Sequence, residues 1–445
     1  MEKLVYLALE TPSRELRAKT LLATELLNRG YRVVFGDHGA LQKKFAPKFA
    51  SGIYYDKDFM RPQAEIWRPI KENGCKLYAL DEEGVIYETR TLYQQMRIGL
   101  ESISMLDGVF TWGPDQFDMI KETYPDMDKK GHITGNPRAD VLGKNTEIYF
   151  GSDAQKYREK YGPYILINSS FSHTRTAERL KSLCGDFPKE SEEFYLARQE
   201  FQEKLAYAFI EGVAEFAKKT PYNVVVRPHP NRNAFVQEFF DAMGDLPNVH
   251  IIRSGDSNAW IYGSEMMIHG GCSTAYEAYD AGRVSVLYQP IYEEKFDSPF
   301  PNLLSEKTTN PDELLATVNK YMDCPEERST FFTEEKEAML RDRVAHPNGK
   351  LAVQNIVDVL DENDFDVDVS MIPSQKTIRT VAKIYRGKWR RFYRRKMQDK
   401  KEYIYPSEVK GLIKTAQKAL NASFDIKIKE LDYNVFLLER KKWKK

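Results

Sequence analysis

The chain has 445 residues, equal numbers of basic and acidic side chains (66 Lys and Arg, 66 Asp and Glu) and a hydrophobic share of 42%. That length and apolar content support two or three packed domains, and zero net charge excludes a bulk attraction to nucleic acid or membrane. Cys75, Cys184, Cys272 and Cys324 lie far apart with no CxxC pair, which argues for free thiols in a reducing cytoplasm and against a disulfide or zinc framework.

Lys3 to Leu9 reads as a first strand, too short for the apolar core of a secretory signal, and no run reaches bilayer-spanning length. Glu10 to Leu16 is a polar loop into a helix over Leu16 to Arg29. Gly30 ends that helix, and Tyr31 to Gly36 forms the second strand of a βαβ unit. The glycine fingerprint of dinucleotide sites is missing, so no nicotinamide or flavin cofactor is expected. Ser13, Arg14 and Glu15 stand at this strand end, where they either meet a ligand or form a helix-start ion pair. The strand Cys75 to Leu80 runs into Asp81-Glu82-Glu83-Gly84. Three adjacent carboxylates raise one another's proton affinity, which suits a general base; the competing reading is an acidic turn at a sheet edge. Glu88 to Leu100 reads as a helix, Gly108 to Gly113 as strand and turn, and Asn136-Pro137 breaks any helix ahead of Arg138. The polar stretch Asn145 to Tyr161 is expected to hold the linker between a domain over 1–150 and one over 151–360.

The second domain opens on the strand Tyr164 to Ile167 and the loop Asn168-Ser169-Ser170-Phe171-Ser172, whose hydroxyls either meet a ligand or cap a helix. A long amphipathic helix, Glu192 to Lys219, precedes the strand Val224 to Val226, which leads into Arg227-Pro228-His229-Pro230. The flanking prolines fix the backbone at His229, so its imidazole can be aimed at a departing phosphate. After Val249 to Ile252, the strand Met266 to Ile268 delivers His269-Gly270-Gly271-Cys272-Ser273-Thr274 to a helix start. That arrangement is an anion site usable without metal, or else a simple N-cap by Ser273 or Thr274. Val284 to Tyr288 is expected to close the sheet. Cys272 has no assigned base and is expected to pack. Asp56-Lys57-Asp58 and Asp364-Phe365-Asp366 are short acidic pairs of a kind common by chance, the second inside an acidic hinge over Asp358 to Asp368, and no metal is expected.

Residues 361–445 change character. Lys376 to Lys401 is crowded with Lys and Arg interleaved with Ile384, Tyr385, Trp389, Phe392, Tyr393 and Met397. At helical spacing this is a basic amphipathic helix suited to an anionic membrane surface through 376–401, with docking back on the body as the bland reading and nucleic acid as the rival partner, which is not expected. A small α+β appendage follows, with a helix over Val409 to Leu420 and strands over Phe424 to Lys429 and Tyr433 to Glu439.

Taken in order, Ser13-Arg14-Glu15-Leu16, Asp81-Glu82-Glu83-Gly84, Thr111-Trp112-Gly113, Thr134-Gly135-Asn136-Pro137-Arg138, Ile167 to Ser172, Arg227-Pro228-His229-Pro230 and Cys272-Ser273-Thr274 with Glu277-Ala278 resemble the bacterial surface-carbohydrate biosynthesis proteins. These are glycosyltransferases of the GT-B fold. The acidic-acidic-glycine, His-Pro and paired-hydroxyl motifs are also similar to those of bacterial sialyltransferases and other CMP-nonulosonate transferases. The resemblance, which covers about residues 4 to 360, implies an α/β chain of two Rossmann-like domains with parallel sheets facing a central cleft; the basic C-terminal extension lies outside it. The resemblance implies an inverting, metal-independent transfer of a nonulosonic acid (sialic, legionaminic or pseudaminic acid, or Kdo) from a CMP donor to a glycan or lipid-linked glycan, with no cofactor. Glu82, or else Glu83 beside Asp81, would be the base. His229 would assist the leaving group. Arg227, Pro230, Gly270, Gly271, Ser273, Thr274, Glu277, Asn168, Ser169 and Ser170 would line the nucleotide-sugar site, and Ser13, Arg14, Glu15, Asn136 and Arg138 the acceptor or donor loops. Gly270-Gly271 departs from the asparagine-like residue the pattern has before the cysteine. With the basic stretch 376–401, the expected place is cytoplasmic, peripheral at the inner face of a bacterial plasma membrane. Other readings are a CDP-polyol phosphotransferase, a UDP-sugar enzyme or epimerase, and a non-catalytic scaffold at the membrane.

Overall fold

A computed structural model of the chain describes residues 2–87, 89–173, 189–230, 233–364, 367–374, 376–378 and 403–441. Two units emerge. The first comprises Met1–Val85, Arg97–Val141 and Arg343–Lys445, and the second comprises Ile86–Met96 and Leu142–Asp342.

In the first unit, β1 (Lys3–Leu9), β2 (Tyr31–Asp37), β3 (Ile53–Asp56), β4 (Lys76–Leu80), β5 (Gly108–Thr111) and β6 (Gly131–Ile133) form a parallel sheet in the order β2-β1-β3-β4-β5-β6. Leu4 to Leu9 are all buried, as expected of a strand covered on both faces. The helix Pro12–Asn28 begins with proline in its first turn and ends before Gly30, whose φ is +88°. The strand β3 falls outside the sequence expectations, which saw only an acidic pair there; its Ile53-Tyr54-Tyr55 run is wholly buried. Because β2 and β3 flank β1 on opposite sides, the strand order reverses at β1, and the carboxyl ends of β1 and β3 mark the topological switch point.

In the second unit, β7 (Tyr164–Asn168), β8 (Asn223–Arg227), β9 (Val249–Ile251), β10 (Met266–His269), β11 (Val284–Tyr288) and β12 (Glu306–Thr308) lie in the order β12-β11-β10-β7-β8-β9, every pairing parallel. This is the six-strand doubly wound order, with its switch point between β7 and β10. The sheet closes on β12, not on Val284 to Tyr288. The stretch Asn145 to Tyr161, expected as linker, is the helix Thr146–Tyr161 of this unit, and its Tyr157 stacks on Trp260 with ring centroids 3.6 Å apart.

The C-terminal segment is no appendage. The helix Pro406–Ala419 is followed by β13 (Ile426–Asp432) and β14 (Val435–Arg440), and β14 pairs antiparallel with β2, widening the first sheet to eight strands. Gly36 lies opposite Val435 in that pairing at φ +145°, and a Cβ there would stand 1.8 Å from the Asn434 carbonyl oxygen, so only glycine lets the hairpin close on β2. The expected acidic hinge begins inside the helix Ala352–Asp361. Asp358 pairs with Arg29 and Lys350, Asp361 pairs with Lys3, and the Asp140 carboxylate accepts the Ala352 and Val353 N–H groups at 2.8 and 2.9 Å. Those bonds bind residues 343–361 to the first unit rather than the second. Most of the basic stretch, Arg379 to Lys401, and the Phe365-Asp366 pair lie outside the described residues.

Candidate functional site

At the switch point of the second sheet, Asn168 ends β7 in register with His269 at the end of β10. Side chains stitch the two following loops together. Asn168 Nδ2 donates to Thr274 Oγ1 at 2.8 Å, and Ser170 Oγ donates to the Gly271 carbonyl at 3.2 Å. His269, passed over in the sequence, shapes the second loop. Its Nδ1 accepts the N–H groups of Gly271 (3.1 Å) and Cys272 (3.2 Å), so Nε2 carries the proton and donates to Ser305 Oγ at 2.8 Å. Full burial pushes this imidazole down to about 3, which keeps it neutral.

The glycines follow from the same geometry. Gly271 sits at φ +89°, and a Cβ on Gly270 would meet Phe171 at 2.6 Å, so neither residue needs a ligand to explain it. Ser273 is exposed and makes no side-chain cap bond to the helix Thr274–Asp280, which sets aside the N-cap reading for it. Thr274 Oγ1 is spent within the protein, donating toward Cys272 Sγ at 3.1 Å. Cys272 packs: burial raises its thiol above the ordinary range. Glu277 is buried in the same helix.

Arg227 does not present its guanidinium to solvent. It donates to the carbonyls of Ser254 (2.7 Å) and Gly255 (3.1 Å) over the ring of Trp260, and thereby fixes the loop after β9. Its own carbonyl takes the Ser169 N–H at 3.0 Å. His229 is half-buried and Pro230 exposed just beyond β8, the Pro230 carbonyl accepting from Arg253.

In the first unit the three successive carboxylates do not crowd one another, contrary to expectation, because each has its own cation. Asp81 pairs with Arg97, Glu82 with Lys19 at 2.7 Å, and Glu83 with Arg14. Only Glu83 of the three is exposed. Burial works against charge on Glu82, but Lys19, Arg138 and Asn136 outweigh it and hold the carboxyl below its usual range. Asn136 Nδ2 donates to Glu82 Oε2 at 3.2 Å, and Arg138 Nη1 to the Glu82 carbonyl at 3.2 Å. Glu15 is the carboxylate whose proton affinity rises, through burial and the charge of Glu82. It also accepts the N–H groups of Glu10 and Thr11, both at 3.0 Å, so the loop after β1 spends on its own side chain the donors a phosphate would need. Ser13 and Arg14 are exposed at the start of the helix.

No protein-family model matches the sequence, and no curated protein matches it. Solved structures do. A UDP-GlcNAc 2-epimerase from Neisseria meningitidis bound to UDP-GlcNAc superposes with a TM-score of 0.50 at 14% identity, over 82% of this chain and 100% of its own. A putative UDP-N-acetylglucosamine 2-epimerase from Listeria monocytogenes gives 0.51 at 13% identity, over 82% and 98%. Another UDP-N-acetylglucosamine 2-epimerase gives 0.52 at 12%, over 82% and 99%. The fold is GT-B.

Within each GT-B unit the structure gathers part of the expected set. Asn168, Ser170, Gly270, Gly271, Ser273 and Thr274 come together at the switch point of the second sheet, and Glu15, Glu82, Asn136 and Arg138 at the carboxyl edge of the first. Arg227 is turned to a loop instead. Lys19 was missed, although its i, i+4 spacing from Glu15 on one helix is the kind of signal that would have placed it. Asp56 is no open metal ligand: its oxygens take hydrogen bonds from Trp67 (2.6 Å) and Gln42 (3.1 Å).

Proposed function

We propose that this protein is a glycosyltransferase that uses a nucleotide-activated sugar. The observation that carries the reading is the switch point of the second sheet, where Ser273, the Gly270–Gly271 turn and the Asn168–Ser170 loop converge on a GT-B unit that also carries His229 at a strand end. Crevices at such points take nucleotides in open parallel sheets. The hydroxyl of Ser273, an exposed residue, would meet a phosphate, and His229 would assist departure of the nucleotide. The motif resemblance supports a CMP-activated nonulosonic acid as donor and a surface glycan, free or lipid-linked, as acceptor. In this reading Glu82 acts chiefly by holding Lys19, Asn136 and Arg138 in place, since its depressed proton affinity makes it a weak base.

Sugar-nucleotide screening of the full-length protein tests the reading. Nucleotide release from CMP-sialic acid, reduced at least tenfold in Ser273→Ala and His229→Ala, is the expected result. Release of nucleotide from no CMP-, UDP- or GDP-sugar would sink it.

A second reading is epimerisation of a UDP-sugar. It is favoured by the names of the structural neighbours, one of them solved with UDP-GlcNAc. Incubation with UDP-GlcNAc alone separates the two, because an epimerase converts the donor without releasing UDP.

The basic stretch 376–401 is proposed to rest on an anionic membrane at the cytoplasmic face. Among the described residues no helix is long and apolar enough to cross a membrane, and the charge of the stretch supplies surface attraction. Replacing its Lys and Arg by Gln should abolish binding to phosphatidylserine vesicles; undiminished sedimentation with them counts against the idea.

A further inference from the structure

At the carboxyl edge of the first sheet, β2 ends at Asp37 and is followed by His38, while β3 ends at Asp56. The two residues flank the end of β1 and meet across the switch point, His38 Nε2 lying 2.7 Å from Asp56 Oδ1. Asp56 is fully buried, and every direction of its carboxylate is occupied. Oδ1 also accepts the Lys57 N–H at 2.8 Å, and Oδ2 accepts from Trp67 Nε1 at 2.6 Å and Gln42 Nε2 at 3.1 Å. Gln42 is itself held by Gln63, and Gln63 by Asp58. Four donors on one carboxylate keep it ionised and acceptor-only, so the His38–Asp56 bond must be Nε2–H donating to Oδ1. Nδ1 is then the basic nitrogen of His38. It has no hydrogen-bond partner among the described residues, and the side chain is 11% exposed.

We propose that His38 is the general base of the first unit and Asp56 its positioning residue. The inference deepens the transferase reading and rests on it. A nucleophile-activating imidazole oriented by a buried carboxylate is the arrangement proton abstraction requires, and it stands at the sheet edge where ligands bind. During transfer the acceptor O–H bond breaks and its proton moves to Nδ1. The acceptor oxygen forms its bond to the anomeric carbon, while the bond from that carbon to the donor phosphate oxygen breaks and its electron pair leaves with the phosphate. The imidazolium, stabilised by Asp56, then returns its proton to solvent. Glu82, tied to Lys19, is thereby free of this role.

The charged groups facing His38 come from two strand ends. Asp56 on β3 and Glu10 after β1 favour the imidazolium, whereas Lys57, which bridges Glu10 and Asp58, opposes it. Burial alone would lower the histidine's proton affinity, but Asp56 outweighs it and the net direction is upward from the usual value. A base of this kind is active when neutral, so the rate should rise with pH through a limb set by His38.

The experiment uses full-length protein with CMP-sialic acid and UDP-N-acetylglucosamine as donor probes, following nucleotide release against pH. His38→Gln should lower kcat at least about 100-fold, the scale of a lost general base, with nucleotide affinity by calorimetry unchanged and a cooperative thermal transition retained. Asp56→Asn should lower kcat and move the acidic limb of kcat/KM to lower pH, a change that a purely structural role does not produce. Wild-type turnover that survives His38→Gln within threefold, or an acidic limb that stays in place in Asp56→Asn, overturns the assignment while leaving the transferase reading intact. Wild-type protein that releases nucleotide from neither probe overturns both.

Discussion

Lys19 Nζ stands 2.7 Å from Glu82 Oε1, with the two side chains only 1% and 8% exposed. The contact is an ion pair more than an aligned hydrogen bond, and the ammonium also lies 4.6 Å from the centre of the Tyr55 ring. Removing one charge from such a pair strands the other in a poorly solvated site. Glu82→Gln is therefore expected to destabilise the protein by roughly 3 kcal/mol, and Lys19→Met by a similar amount. The double substitution should recover most of that loss. Urea unfolding of the four proteins measures the coupling, and additive losses would show that the pair is not one unit.

His269 makes the second unit sensitive to acid. Its folded-state proton affinity lies below that of an unfolded histidine, so the unfolded chain binds the extra proton first as pH falls. The stability this residue contributes is complete above about pH 6.5 and is lost progressively toward about pH 3, on the order of 5 kcal/mol over the whole window. Protonation would turn Nδ1 from acceptor to donor against the Gly271 and Cys272 N–H groups. His269→Asn should flatten the acid limb of unfolding midpoints measured from pH 4 to 7. An unchanged slope would place the acid sensitivity elsewhere.

Much of this fold was legible because parallel strands covered on both faces read as unbroken apolar runs, as in Leu4 to Leu9 and Val224 to Val226. The strand β3 was not, since four residues containing two tyrosines and an aspartate carry neither length nor alternation. The partners of the carboxylates were hidden for a different reason. Whether Asp81, Glu82 and Glu83 repel one another depends on Arg97, Lys19 and Arg14 arriving from other elements, and only the fold decides that. Arg227 shows the same dependence: its bonds to the Ser254 and Gly255 carbonyls come from a loop that its own sequence neighbourhood does not contain.

Asp280 works in the opposite sense from His269. Burial, with Glu337 and Glu277 nearby, pushes its carboxyl up to about 7. The folded state therefore holds this proton where the unfolded chain has released it, and the linked stability is present at low pH and lost as pH rises from about 4 through 7. Asp280→Asn removes the penalty of an ionised group, so it should raise the thermal midpoint at pH 8 and have little effect at pH 4. A midpoint that does not rise at pH 8 would refute the placement.

The hairpin β13–β14 gives the most severe test of how the chain is divided. Its strand β14 completes the β2 edge, and Asn434 bonds on both sides of the junction: its carbonyl accepts the Asp37 N–H at 2.9 Å, and its Oδ1 accepts the Ile404 N–H at 2.8 Å. Deleting residues 403–445 would leave β2 as an open edge with the buried faces of Phe436 and Leu438 missing, which favours aggregation. Gly36→Ala reaches the same junction by one methyl group, since its Cβ would overlap the Asn434 oxygen at 1.8 Å. The expected cost is about 2 kcal/mol or more, because the obstacle is backbone in a paired strand rather than a flexible side chain. Amide exchange should show lost protection in β2 and β14 together. Protection kept in β2 after the deletion would make the segment a separable tail.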